Sequence, residues 1–295
     1  MNEHAERFTA LRPLLFTIAY EILGSATESD DVLQDSYVRW AEVDLDTVRD
    51  TKSYLAQLVT RQALNALRAA ARRREDYIGP WLPEPLLLTS GDASSDVVLA
   101  ESVSMAMMVV LETLSPDERA VFVLREVFGF DYDEIASAVG KSTAAVRQIS
   151  HRARSHVHAR RKRFEPDAAV SAEVTTRFLA AAATGDLEGL LPLLSPNVTW
   201  TADSDGKASA ARRPVIGADR VGRLVLGLMR GASGTADARI EMAICNNAPA
   251  LVLFLGDSVE AVITIEVTDG RVSHFYAMRN PDKLVALNVE RTISR

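Results

Sequence analysis

Residues 131–163, DYDEIASAVGKSTAAVRQISHRARSHVHARRKR, constrain this chain more than any other stretch. An amphipathic segment, a glycine and a basic segment follow one another, which is the pattern of a helix-turn-helix. Asp131 with Glu134 three residues on predicts a capping box, and Ile135, Ala136 and Val139 supply the first helix with an inward stripe. Gly140 ends that helix. Ser142 is a good N-cap for the second, in which Val146, Ile149, Ala153 and Val157 recur at helical spacing and face a core. That leaves Thr143, Ala144, Arg147, Gln148, His151 and Arg154 looking outward.

Charge supports that assignment once it is divided along the chain. The whole sequence carries a net charge of -7, yet residues 135–164 hold eight Lys or Arg and no acid. A local excess of this kind fits a polyanion, and the major groove admits one α-helix whose Arg and Gln reach base edges. A basic helix can equally be a solvated surface, so the neighbouring sequence has to decide. Residues 28–50 hold eight acids against two bases, and residues 51–74 hold six bases and no acid. Opposite patches in series predict separate partners.

Other chemistry is poorly represented. The single cysteine, Cys245, excludes an internal disulfide framework and reads as a small apolar strand residue. No apolar run approaches a membrane span, no secretion signal is legible, and a cytoplasmic protein is expected. His151, His156 and His158 lack the acids or cysteines of a metal site, and neither a phosphate-binding loop nor a dinucleotide fingerprint is present. No metal or cofactor is expected.

Taken in order, Phe8, Leu11, Leu15, Ile18, Ala19 and Ile22 form one face of a helix that stops at Gly24, with Pro13 as a bend or a late start. The segment 28–43 places Val32, Leu33, Tyr37 and Trp40 inward and Asp30, Asp31, Gln34 and Asp35 outward. The segment 50–74 is a long basic helix with Tyr54, Leu58, Leu64 and Leu67 near one face and Arg61, Gln62, Asn65, Arg68 and Arg72–Arg74 toward solvent. Residues 75–96 form a connector rich in Pro, Gly and Ser, in which Trp81, Leu82 and Leu86–Leu88 are an apolar island that needs a docking surface.

An acidic helix ending in RW, a YLAQLVTRQALNALR basic helix, a linker, and then LSPDERAVFVLREVFGFDYDEIASAVGKSTAAVRQISHRAR together resemble an extracytoplasmic-function sigma factor of bacterial RNA polymerase. The resemblance runs from about Phe8 to Arg163. It implies that Asp30, Asp31, Gln34 and Asp35 dock on core polymerase, that Arg61, Gln62, Asn65 and Arg68 contact the melted -10 element, and that Ser142–Arg154 read the -35 element. Core polymerase and promoter DNA are the implied partners, with no membrane. Melting requires capture of an unstacked base beside a basic track.

About 130 residues follow the break at Glu165 and Pro166. An Ala-rich helix over 171–184, a helix-to-strand stretch, an amphipathic segment at 218–229, and strands at 238–246, 250–255, 259–267 and 272–279 predict an α+β domain. This half resembles a SnoaL-like (NTF2-like) cone, and three motifs resemble those of the sigma-factor subgroup with such an extension. They are WLPEPL from Trp81, RRPVIG from Arg212 and NPDKL from Asn280; the loop before RRPV reads DSDGK where the subgroup often has DGGGK. The expected domains are 1–75 and 101–165, both all-α, a linker over 76–100, and the cone over 166–295.

Two roles follow for the cone. An enzyme needs a carboxylate base inside it, for which Asp203, Asp205, His274 and Tyr276 are the candidates; no motif places an acid there, and no enzymatic activity is expected. A regulator would hold the linker, with Trp81, Leu82 and Pro83 meeting Asn280, Pro281, Asp282, Lys283 and Leu284, and the cone leaves room for a small-molecule ligand. The alternatives for the whole chain are a stand-alone ligand-controlled helix-turn-helix regulator and a SnoaL-type enzyme fused to a DNA-binding segment.

Overall fold

Buried apolar stripes at helical spacing organise the N-terminal half, whose regular elements are helices in the computed structural model; the described residues are 3–73, 76–88, 96–160 and 168–295. Helix α1 (Glu3–Leu23) continues through Pro13, and α2 (Ala26–Trp40) starts on Ser25, whose hydroxyl accepts from the Glu28 N–H at 3.0 Å. Helix α3 (Thr51–Arg73) lies against both. Trp40, fully buried, donates its Nε1–H to the His4 carbonyl at 2.9 Å and so ties the end of α2 to the start of α1. Arg74, part of the basic run, and the break at Glu165 and Pro166 lie outside the described residues, as does 89–95 of the connector.

Short helices α4 (Val97–Ser102), α5 (Met105–Leu111) and α6 (Pro116–Phe122) follow, then a π-helical turn over Val123–Val127. Helices α7 (Tyr132–Val139) and α8 (Thr143–Arg160) complete this part. Arg119 crosses the helical core almost fully buried: its Nε–H donates to the Glu21 carbonyl at 2.7 Å and a terminal N–H to Glu112 Oε1 at 2.6 Å.

The remainder is α+β, as the switch from helical to alternating periods predicts. Helices α9 (Ala168–Thr184), α10 (Leu187–Leu190) and α11 (Ala218–Ser233) accompany strands β1 (Leu194–Asp203), β2 (Val215–Ile216), β3 (Ala238–Cys245), β4 (Ala248–Leu255), β5 (Ser258–Thr268) and β6 (Arg271–Met278), and α12 (Pro281–Leu284) follows. The strands form one sheet in the order β2-β1-β6-β5-β4-β3, antiparallel except for β1 beside β6. Phe178 from α9 and Val221, Val225 and Leu226 from α11 pack on Trp200, Phe275 and Ile265 to make its core.

Two compact units result, and the chain does not visit them in sequence. One comprises Met1–Asp76, Leu88–Lys162 and Glu290–Arg295, the other Tyr77–Leu87 and Arg163–Val289. The middle of the connector therefore folds with the α+β unit, and the last six residues fold with the helical one.

Candidate nucleic-acid interface

The two helices of the 131–163 stretch form as their capping residues dictate. Asp131 and Glu134 make a reciprocal capping box at the start of α7, and Gly140 ends it at φ 69°, a left-handed conformation that suits glycine. The Ser142 hydroxyl accepts from the Ala145 N–H at 3.3 Å. Val146, Ile149, Ala153 and Val157 are buried, so one face of α8 is fixed inward. Ser142, Ala144, Arg147, Gln148, His151 and Arg154 are exposed and Thr143 half-buried.

Three of these side chains are held by neighbours within the protein. The Thr143 hydroxyl donates to Asp133 Oδ1 at 2.6 Å, and Arg154 bonds Glu126 at 2.5 Å, a hydrogen bond that raises the arginine's pKa further. The Arg147 guanidinium lies 5.5 Å from the centre of the Tyr132 ring, which also carries Arg125 at 4.6 Å. Tyr132 thus aims Arg147 through a cation–π contact.

On α3, Arg61 and Arg68 are exposed, and each also has a partner. Arg61 donates to the Ser137 carbonyl at 2.7 Å, and Arg68 pairs with Asp117 at 2.7 Å. Asp117 also holds Lys141 at 2.9 Å; partial burial raises its pKa, but the hydrogen bonds from Lys141 and Arg68 bring it below the ordinary carboxylate value. The Ser53 hydroxyl donates to Glu134 at 2.6 Å. Arg68 is thus bonded to α6 and Arg61 to α7, and Ala56, Gln57 and Thr60 of α3 line a small groove with Phe130, Ile135 and Ala138. Asn65 is exposed and Gln62 half-buried.

On α2, Asp31, Gln34 and Asp35 are exposed and Asp30 is half-buried. Asp30 is doubly paired, with Arg12 at 3.2 Å and with Arg291 at 2.6 Å. Arg291 belongs to the C-terminal segment, a set of contacts the sequence did not reveal. Ile293 is buried, the Ser294 N–H donates to the Thr17 hydroxyl at 3.2 Å, and Arg295 pairs with Asp96 and donates to the Val127 carbonyl at 3.2 Å. Its only sequence signal is one isoleucine between two arginines, RTISR.

In the α+β unit the linker is gripped by Asp203. Strand alternation turns Val198, Trp200 and Ala202 into the core and Asp203 to the other face. There Asp203, fully buried, accepts from the Leu82 N–H at 2.7 Å, from Lys283 Nζ at 2.8 Å, and from the Tyr77 hydroxyl. Lys283, also buried, donates to the Leu82 carbonyl at 2.7 Å and sits 3.2 Å from the centre of the Trp81 ring. Asn280 caps α12 and donates to the Tyr77 oxygen at 2.9 Å. Burial, and then the Asp203 carboxylate, push the Tyr77 hydroxyl's pKa up, so it stays a donor. Leu82, Pro83 and Leu284 are buried, while Pro281 and Asp282 are exposed; Asp282 pairs with Lys207 at 2.5 Å, and Asp205 accepts from the Ile78 N–H at 3.1 Å.

Asp203 and Asp205, weighed as candidate bases for an enzymatic role that was not expected, both bond the linker instead, Asp203 from the face of β1 opposite the core. His274 and Tyr276 lie on that same far face: the His274 ring bonds the Thr201 hydroxyl at 2.9 Å and stacks on Tyr276 at 4.1 Å, whose hydroxyl donates to Glu266 at 2.8 Å. Among the described residues no group of three or more His, Cys, Asp or Glu is arranged to hold a metal ion, and no helix is long and apolar enough to cross a membrane.

Comparison with known proteins gives these surfaces a context. The family models "Sigma-70 region 2" and "Sigma-70, region 4" match residues 7–73 and 104–157. The ECF RNA polymerase sigma factor SigJ of Mycobacterium tuberculosis is 39% identical over 94% of this chain and 91% of its own length. The probable ECF RNA polymerase sigma factor SigI of the same species is 29% identical over 98% of this chain and 99% of its own. The crystal structure of M. tuberculosis SigJ superposes with a TM-score of 0.75 at 34% identity, covering 96% of this chain and 99% of that one.

Proposed function

Since the chain belongs to the ECF RNA polymerase sigma factors, we propose that it binds core polymerase through the acidic face of α2, captures the -10 element on α3 and reads the -35 element with α8, under the control of its α+β domain. Asp30, Asp31, Gln34 and Asp35 supply the docking charge. Arg61, Gln62, Asn65 and Arg68 contact the melted strand, where exposed bases and phosphates need donors and cations. Arg147 and Gln148 reach base edges, while Arg154 and the arginines after it neutralise phosphates.

One observation carries the regulatory part. Residues 77–87, the covalent connection between the two DNA-reading regions, fold as part of the α+β unit, locked by Asp203 and Lys283. The -10 and -35 elements lie roughly 25 base pairs apart, about 85 Å of duplex at ~3.4 Å per pair. Side chains that bond α3 to α6 and α7 hold the two readers far closer than that, so initiation requires them to part. A domain that grips the linker sets how far they part.

The test is promoter-directed transcription with purified core polymerase, comparing the intact chain with Lys283→Met on templates of varied spacing between the two elements. The reading expects the intact protein to initiate at a preferred spacing and the variant to lose that preference. An intact protein that neither binds core nor initiates on a cognate promoter overturns the sigma reading; an unchanged spacing profile overturns the regulatory one.

A further inference from the structure

Strand β3 is the last in the sheet order, and its outer edge is built unlike a protected one. The hairpin to β4 turns through Asn246 and Asn247, at φ 52° and 57°, the conformation of a two-residue type I′ turn. Such a turn makes Cys245 and Ala248 a hydrogen-bonded pair, so Cys245, Ala243, Glu241 and Arg239 spend their N–H and C=O groups on β4. Those of Ile244, Met242, Ile240 and Ala238 point outward. At one end the linker takes the edge: Leu87 bridges Cys245, and the Asn246 N–H donates to the Leu86 carbonyl at 2.9 Å. At the other end the Ala238 N–H donates to the Thr235 carbonyl at 3.3 Å, and between them the outward groups of Ile240 and Met242 have no backbone partner among the described residues.

The side chains on that strand do not defend it. Ile240, Met242 and Ile244 are 38%, 59% and 52% exposed on one face. Edge strands are ordinarily blunted by Lys, Pro or a bulge. Here β3 carries neither residue, and its pairing with β4 is unshifted throughout, whereas β1/β6, β4/β5 and β5/β6 each contain a shift. Its two charges, Arg239 and Glu241, are opposite in sign, flank Ile240 and pair with each other at 2.8 Å on the other face.

We propose that β3 pairs antiparallel with β3 of a second copy of this chain, with the two-fold axis at Ile240. In that register Ile240 meets its own copy, Met242 meets Ala238, and Arg239 stands opposite Glu241 on both sides of the axis. The competing registers are worse. Centring on Glu241 sets two like charges face to face, and centring on Met242 requires the edge of Cys245, which the linker already occupies. The charges therefore select both the partner and the alignment.

The experiment measures the mass of the full chain by sedimentation or light scattering over about a hundredfold range of concentration, for the native protein and for Arg239→Glu, Glu241→Arg and the double reversal. The proposal expects a dimer whose dissociation constant rises about tenfold or more in each single variant, because the two-fold axis repeats every clash, and which the double reversal restores. Circular dichroism on each variant separates lost pairing from lost folding. A native protein that stays monomeric throughout, single variants that dimerise as well as the native one, or a folded double variant that fails to recover would each overturn it.

Discussion

Lys283 Nζ stands 2.8 Å from Asp203 Oδ2 in a site where both side chains are buried, and the same ammonium lies 3.2 Å from the centre of the Trp81 ring. One cation thus binds the end of β1, the start of α12 and the linker together. Removing it leaves a carboxylate buried with its remaining donors on Leu82 and Tyr77. We expect Lys283→Met to destabilise the α+β unit by about 3–5 kcal/mol, the cost of an unpaired buried charge. Lys283→Met with Asp203→Asn should recover part of that loss. Denaturant unfolding followed by tryptophan fluorescence measures both.

Asp30 is paired with Arg291 from the C-terminal segment, which occupies one of the four residues we assign to polymerase docking. Arg291→Glu, or a chain ending at Val289, should bind core polymerase several-fold more tightly, since one of the two cations that neutralise Asp30 is removed and only Arg12 remains paired with it. Titration of labelled protein with core polymerase reads the change. Equal affinities would show that Asp30 does not contribute.

Arg68 and Lys141 share Asp117. Asp117→Asn should loosen α3 from α6 and α7 and raise affinity for single-stranded -10 DNA about two- to fivefold, because exposed pairs are individually worth only ~0.2–1 kcal/mol. Fluorescence anisotropy with a short oligonucleotide checks it.

Glu21 is fully buried beneath Arg119, and burial pushes its carboxyl up to about 8, against lowering contributions from the Ser102 hydrogen bond and Arg119. A carboxyl whose folded pKa is raised contributes stability that is fully present below its unfolded pKa and is lost as pH rises through the folded one. The helical unit should therefore lose stability between about pH 4.5 and 8, and Glu21→Gln should flatten that slope. Thermal unfolding at several pH values across that window shows whether it does.

Arg147 is aimed by Tyr132. Arg147→Ala should cost about 1–3 kcal/mol on a cognate -35 duplex and relax discrimination at one base, whereas Arg160→Ala should weaken all sequences alike and reduce the salt dependence. Binding to matched and single-substituted duplexes distinguishes the two.

Much of this architecture could be read from local pattern, because helices and hairpins are local. Asp131 with Glu134, Gly140, and the Val146–Ile149–Ala153–Val157 period are short-range signals, and they locate both helices of the turn. The ties of Arg61 to Ser137 and Arg68 to Asp117 span 76 and 49 residues, and nothing in a charged helix face says which cations will meet an acid. The linker-holding role of Asp203 was not legible for a related reason: it depends on which face of β1 the strand's last residue takes, and alternation settles that only when the core face is known. The C-terminal strap was invisible because Arg291 pairs with Asp30 near the other end of the chain and the partners of Arg295 lie 199 and 168 residues away.

The most direct test of the central claim is run-off transcription by core polymerase with the intact chain and with Lys283→Met/Asp203→Asn, on one promoter whose -10 to -35 spacing is varied base pair by base pair. The account predicts transcripts that peak sharply at one spacing for the intact chain and a flattened profile for the variant. Identical profiles would contradict the claim that the α+β domain governs promoter recognition through the linker it holds.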